Sequence, residues 1–170
     1  MKNYFYSNRL SEQIRNLLDE NLSESATKNI TIGDLSVLPS PKDLSEYLPA
    51  TLISLDRTEN KFANESMNIA YTPYYFSIYY IYPYTFEGDN DAVRQGKQYA
   101  EEIANVLMNL RTLDNFKIPK SEIEIGGLVV HSELSNIKYD SAEQEFFRNM
   151  EIPAQIATLE ICIGFRTYSE

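Results

Sequence analysis

Apolar residues recur along this chain at two periods, and each change of period marks a new element. Leu10, Ile14, Leu17, Leu18 and Leu22 fall at i, i+4, i+7, i+8 and i+12. That spacing makes one apolar face of a helix, which should lie on a sheet or a neighbouring helix. Asn8 or Ser11 would cap its start, and the polar run SESATKN ends it. Ile30 and Ile32 then alternate with threonine, as in a short strand, and Gly33-Asp34 marks a turn. The sequence SPKD at 40–43 has the form of a helix start, with Ser40 as cap, Pro41 at the first helical position and Asp43 in the first turn. That helix should stop before Pro49. ATLISLD (50–56) predicts a strand, and RTENKFANES (57–66) predicts a polar loop or hairpin arm.

The stretch from Asn68 to Phe86, NIAYTPYYFSIYYIYPYTF, has no charged residue and holds seven of the chain's thirteen tyrosines. Its β-branched and aromatic content predicts a strand, taken here as the central one. One face carries Tyr74, Phe76, Ile78, Tyr80 and Tyr82, and the other carries Tyr75, Ser77, Tyr79 and Ile81. Both faces are largely apolar, so both should be covered. Tyrosine keeps a polar tip, which suits a surface that is buried without being dry. Pro73 and Pro83 should limit the regular ladder, because neither donates a backbone hydrogen bond.

Residues 92–113 have a strong helical period, with Val93, Gly96, Ala100, Ile103, Leu107 and Leu110 on one face. The small Gly96, Ala100 and Ala104 would let this helix lie close to a sheet. At about 33 Å it matches the core of the tyrosine strand in length. The segment 118–134 predicts a strand whose apolar parity changes after Gly126-Gly127, so a bulge is expected at the glycines. Residues 135–151 fit either a short helix from Ser141 or an irregular loop. AQIATLEICIGFRTY alternates cleanly, with Leu159, Ile161, Ile163 and Phe165 on one side and Glu160, Cys162, Gly164 and Arg166 on the other. It predicts a half-buried antiparallel strand.

The pattern therefore predicts an α+β fold: a mixed or antiparallel sheet, a long central helix over about 92–113, and an N-terminal helix packed on it. At 170 residues, one domain over 1–170 is expected. The formal charge of −10 argues against general phosphate-backbone binding and favours a solvated surface. The first residues lack the apolar run of a signal peptide, and no apolar segment approaches a membrane span. The lone Cys162 excludes an internal disulfide and suggests a reducing compartment.

Chemistry-bearing patterns are sparse. His131 and Glu133 are at strand spacing, too few ligands for a metal site. A nucleophilic Cys162 would need His131 brought from another strand as its base. P-loop, G-x-G-x-x-G, H-E-x-x-H and G-x-S-x-G patterns are absent from the sequence. The acidic pieces DLSE, EGDND and YDSAEQE lack EF-hand spacing. No cofactor or metal is expected. The tyrosine run as a base-stacking platform is disfavoured, because no Lys or Arg occurs between Lys61 and Arg94.

The order of elements, together with YLPATLISLD, YYFSIYYIYP, DAVRQGKQYAEEIANVL and AQIATLEICIGFR, resembles the tail terminator, or tail completion, proteins of tailed phages and phage-tail-like bacteriocins. The resemblance covers most of the chain and rests on element order and texture. It implies a non-enzymatic virion or tail-like-particle subunit, assembled in the host cytoplasm. Such subunits form a homo-oligomeric ring, a hexamer in the family, that caps the tail tube, stops its polymerisation and meets the head connector. In contractile systems the ring also meets the sheath. DNA would pass through without specific binding. The expected oligomer interface comprises Tyr75, Tyr79, Ile81, Arg57, Lys61 and Phe62. The tyrosine density itself matches no family feature. The competing expectation is a small-ligand or peptide-binding α+β module that uses the tyrosine surface.

Overall fold

The computed structural model describes residues 2–58, 71–83, 90–108, 117–118, 126–140 and 154–168. The elements are α1 (Lys2–Asn21), β1 (Asn29–Ile32), a 3-10 turn (Leu35–Val37), α2 (Pro41–Tyr47), β2 (Ala50–Thr58), β3 (Tyr71–Pro83), α3 (Asn90–Met108), β4 (Lys117–Ile118), β5 (Gly126–Asp140) and β6 (Ala154–Tyr168). The strands form one sheet in the order β1-β2-β3-β6-β5-β4. Among the described strands, β1 and β2 run parallel and every other neighbouring pair is antiparallel. The fold is α+β with a mixed sheet, and the tyrosine strand β3 lies in its interior between β2 and β6.

β3 and β6 pair without a register shift from Tyr71 opposite Arg166 to Pro83 opposite Ala154. The ladder runs past Pro73, which faces Gly164, instead of being limited there. A proline removes one donor and keeps its carbonyl, so the strand pairs on both sides of it.

The main core lies on one side of this sheet. Tyr74, Phe76, Ile78, Tyr80 and Tyr82 of β3 pack with Leu159, Ile161 and Ile163 of β6 beneath two helices. α1 contributes Leu10, Ile14, Leu17 and Leu18, and α3 contributes Ala100, Ile103, Ala104 and Leu107. Apart from Ala104, these are residues the helical period placed on one face. At Gly96 a Cβ would fall on the Tyr82 ring, which occupies the space a side chain would need. The Tyr82 ring stacks on Tyr80 with centroids 5.4 Å apart.

The polar tips of these core tyrosines are satisfied. The Tyr80 hydroxyl donates to the carbonyl of Ala26 at 2.7 Å, and the Tyr82 hydroxyl donates to Oε1 of Gln155 at 2.7 Å. Burial raises both phenols well above their ordinary value, with the neighbouring Tyr99 and Tyr82 adding to the effect on Tyr80. Tyr82 is pushed up to about 12, by burial first and then by Tyr139. Behind them, the Thr51 hydroxyl donates to that of Thr27, which donates to the carbonyl of Asn29. This chain of bonds ties β2 to the segment entering β1.

Several boundaries differ from the sequence expectation. α1 begins at Lys2, so Asn8 and Ser11 lie inside it and cap nothing. The Ser11 hydroxyl instead donates to the carbonyl of Ser7 one turn back, which a helix interior permits. β2 continues through Arg57 to Thr58, with an irregularity between Leu55 and Arg57. β5 runs to Asp140, so its last residues are neither loop nor helix. Gly126 and Gly127 pair regularly with Tyr168 and Thr167. The register shifts fall further on, between Val129 and His131 and again between Leu134 and Asn136. The expected bulge at the glycines is thus not found there; Ile123 and Ile125, on which the parity change rested, lie outside the described residues. The expected strand 118–134 is not one strand: Ile118 belongs to β4, which pairs antiparallel with Gly127 and Leu128 at the start of β5. The expected C-terminal end of the 92–113 helix, residues 119–125 and the region 141–151 lie outside the described residues.

Candidate functional site

Among the described residues, the opposite face of the sheet is covered at one end only. There α2 and the 3-10 turn sit on Ala50, Leu52, Ile81 and Ile156, with Leu44 and Leu48 forming a second buried cluster. Local chemistry positions this cover. Ser40 and Pro41 start α2, and the Ser40 hydroxyl donates to Asp43 at 2.8 Å. The Asn29 amide donates to the carbonyl of Tyr47 at 2.7 Å, and the hydroxyls of Thr31 and Tyr47 lie 2.7 Å apart. Asp34 accepts from the amide of Ser36 and begins the 3-10 turn. Gly33 precedes it at φ +150°, where a Cβ would also strike Val37.

Further along the same face nothing comparable covers the sheet among the described residues. Register sets Tyr75 between Arg57 and Cys162, and Ser77 between Ser54 and Glu160. On the far side of β6, Glu133 faces Cys162 and Asn136 faces Glu160. These positions bound a groove of about 430 Å³ lined by Asp56, Arg57, Tyr75, Glu133, Ser135, Glu160 and Cys162, among others. The Arg57 guanidinium lies over the Tyr75 ring, 4.2 Å from its centroid. The Ser77 hydroxyl donates to Asp56, and that of Ser135 donates to the carbonyl of Glu160 at 3.1 Å. Tyr75 and Cys162 are half-buried, while the three carboxylates and Arg57 are exposed.

The residues expected at an interface thus divide. Arg57 and Tyr75 are brought together at the groove. Tyr79 is half-buried beside the second cluster, against which it packs. Ile81 is fully buried under α2 and has no surface left to offer a neighbour. Its parity was right, but a helix of the same chain covers it. Lys61 and Phe62 lie outside the described residues. Sequence reading did not single out Asp56, Glu133 and Glu160 as a group. The outward parity of Glu160 was visible in its alternating strand. Its proximity to Asp56 and Glu133 depends on pairings among β2, β3, β6 and β5 that no local pattern encodes.

Register also places His131 opposite Gly164, one diagonal step from Cys162. Among the described residues, no group of three or more His, Cys, Asp or Glu side chains is placed to hold a metal ion. No helix among them is long and apolar enough to cross a membrane.

No protein-family model matches the chain, and no curated protein matches it. Among solved structures, a chain from the virion of a native gene transfer agent particle is similar in fold, with a TM-score of 0.53. The match covers 92% of this chain and 94% of that one at 15% identity. At this identity the likeness is one of architecture, and it extends over nearly the whole of both chains.

Proposed function

We propose that this protein is a structural subunit of a phage-like particle, specifically a tail-terminator ring protein. It would cap the tail tube, end its polymerisation and join the tail to the head connector. The observation that carries this reading is the end-to-end fold likeness to a chain of a gene transfer agent virion. The order of elements, which resembles the tail-terminator family, agrees with it. In this reading the protein acts by contact and not by catalysis. It assembles in the host cytoplasm as a ring of identical copies, six in the family. It meets the tube protein on one side and connector or sheath proteins on the other. The net charge of −10 suits a conduit that passes DNA without gripping it.

Arg57, Tyr75 and Tyr79, with Lys61 and Phe62 in the segment that follows β2, are the proposed contacts between copies. The alternative of a small-ligand module has less to work with. Tyr74, Tyr80 and Tyr82 are buried in the core, which leaves Tyr75 and Tyr79 as the part-exposed tyrosines among the described side chains of β3.

Deleting the coding sequence in a producing strain should give tail tubes of uncontrolled length without heads, seen by electron microscopy. Purified protein added back should restore heads. Tubes of normal length in the deletion strain would rule out the terminator role.

A further inference from the structure

The sheet ends in two edges whose directions and heights are related. Among the described residues β1 forms one edge, and β5 forms the other from Val129 onward, because β4 pairs only with Gly127 and Leu128. β1 runs with β2, and β5 runs against β2 after three antiparallel steps through β3 and β6. The two edges therefore run in opposite directions. Register fixes their heights. One line across the sheet joins Ile32, Ile53, Ile78, Leu159 and Ile137, and another joins Asn29, Ala50, Ile81, Ile156 and Asp140. All of β1 thus stands level with the regular run of β5 from Ile137 to Asp140, beyond its last register shift. The exposed large apolar side chains among the described residues are Ile32, Val37, Met108 and Tyr139. Ile32 and Val37 belong to the β1 edge. Tyr139 belongs to the β5 edge, with the Lys97 ammonium 5.3 Å from its ring centroid. Met108 lies about three turns beyond Lys97 on the same side of α3. Ile30 and Ile137 both pack against the main core, so strand alternation sets Ile32 and Tyr139 on the helix-covered side as well.

We infer that copies of this protein join head to tail through these edges, β1 of one copy pairing antiparallel with Ile137 to Asp140 of the next, so that one sheet continues from copy to copy. The inference rests on the ring reading above and names the two surfaces that close the ring. An edge strand offers a row of backbone donors and acceptors, and another strand is their complement. Rotation about an axis along the strands keeps each strand's direction and height. It therefore brings β1 against the oppositely directed β5 at the same level. It also keeps the helices of every copy on one side, which sets Ile32 beside Tyr139 of the neighbour. A contact between two different patches of one chain is the kind that repeats around a closed ring. Arg57 lies on the β1 edge too, because β1 ends opposite Ile53 and leaves the rest of β2 outermost among the described residues.

Within one copy the two edges are about 19 Å apart, roughly four strand spacings, whereas across the joint Ile32 and Tyr139 are one diagonal step apart, about 7 Å. A short bis-maleimide therefore links cysteines at these positions only between copies. In a Cys162→Ser background, Ile32→Cys and Tyr139→Cys are made singly and together, and Ile32→Cys with Glu102→Cys is the control; all three positions are exposed. Each variant should melt as the natural chain does. A mixture of the two single variants should give cross-linked dimers and nothing larger. The Ile32→Cys, Tyr139→Cys double variant should give a ladder that ends at the closed ring. Each single variant alone, and the control, should give no cross-link. Particle mass is read on the same samples by mass photometry, with and without isolated tail tubes. Rings without the ladder, or dimers from one single variant alone, overturn the edge pairing and leave the ring reading standing. Monomers that give no cross-link even with tubes present remove both.

Discussion

The two faces of β3 are made of the same residue type and have opposite fates. On one face, Tyr74, Tyr80 and Tyr82 are buried under α1 and α3. Their rings fill volume, and for Tyr80 and Tyr82 the hydroxyls find a carbonyl and an amide. On the other face, Tyr75 and Tyr79 stay half-exposed, one beneath a guanidinium and the other against the edge of a small cluster. The difference does not come from tyrosine itself. It comes from what the other described elements supply: two long helices on one side, and one seven-residue helix at one end of the other. Among the described residues, a tyrosine of β3 is core where a helix covers it and stays part-exposed where none does.

The contrast makes predictions that can break it. Phe76→Ala, in the middle of the covered face, should destabilise the protein by about 3–5 kcal/mol in denaturant unfolding. A loss below about 1 kcal/mol would mean that the helices do not pack there as described. Gly96→Ala should cost about 1–3 kcal/mol, because the new methyl and the Tyr82 ring compete for one space. Adding Tyr82→Ala to it should relieve the clash, so the two changes should be markedly non-additive. Tyr80→Phe should cost about 1–2 kcal/mol, since the buried carbonyl of Ala26 loses its donor.

The same tyrosines predict an alkaline limit. Their folded values lie above the ordinary 10.0, so the stabilisation from the neutral phenols is complete below pH 10. It is lost as pH rises from there through about 12. Tyrosinate absorbance should therefore appear in two stages, exposed rings first and buried rings together with unfolding. Tyr80→Phe with Tyr82→Phe should shrink the second stage. A single titration near 10 would contradict the burial of this face.

The smallest effect on stability belongs to the open face. Tyr75→Ala or Arg57→Ala should change stability by only about 0.5–1 kcal/mol, the worth of an exposed cation–aromatic contact. Yet either change should reduce assembly, read by mass photometry. Tyr79→Asp is a less clean probe, because Tyr79 also packs against the cluster beneath α2. If Tyr75→Ala were as costly as Phe76→Ala, the two faces would not differ in the way described.

Much of this arrangement was legible in local pattern. The period-2 alternation identified β3 and β6 and sorted the tyrosines into their two sets. The helical period selected the residues of α1 and α3 that reach the core, and the small residues of α3 marked its close approach. The element ends were less legible. Helix α1 extends back through an aromatic stretch whose local propensity does not announce a helix. The end of β5, SNIKYD, is polar and has little strand character of its own; β6 holds it through the backbone pairing of Asn136 through Asp140. For the same reason the bulge belongs to the strand pair and not to Gly126-Gly127.

The sequence by itself determined which side chains share a face, because that follows from the geometry of a single strand or helix. Tertiary structure alone decided which face is core, since α1 and α3 fall on the same side and α2 falls on the other. It also gathered Asp56, Glu133 and Glu160 around one groove, because strand order and register join residues that lie far apart along the chain.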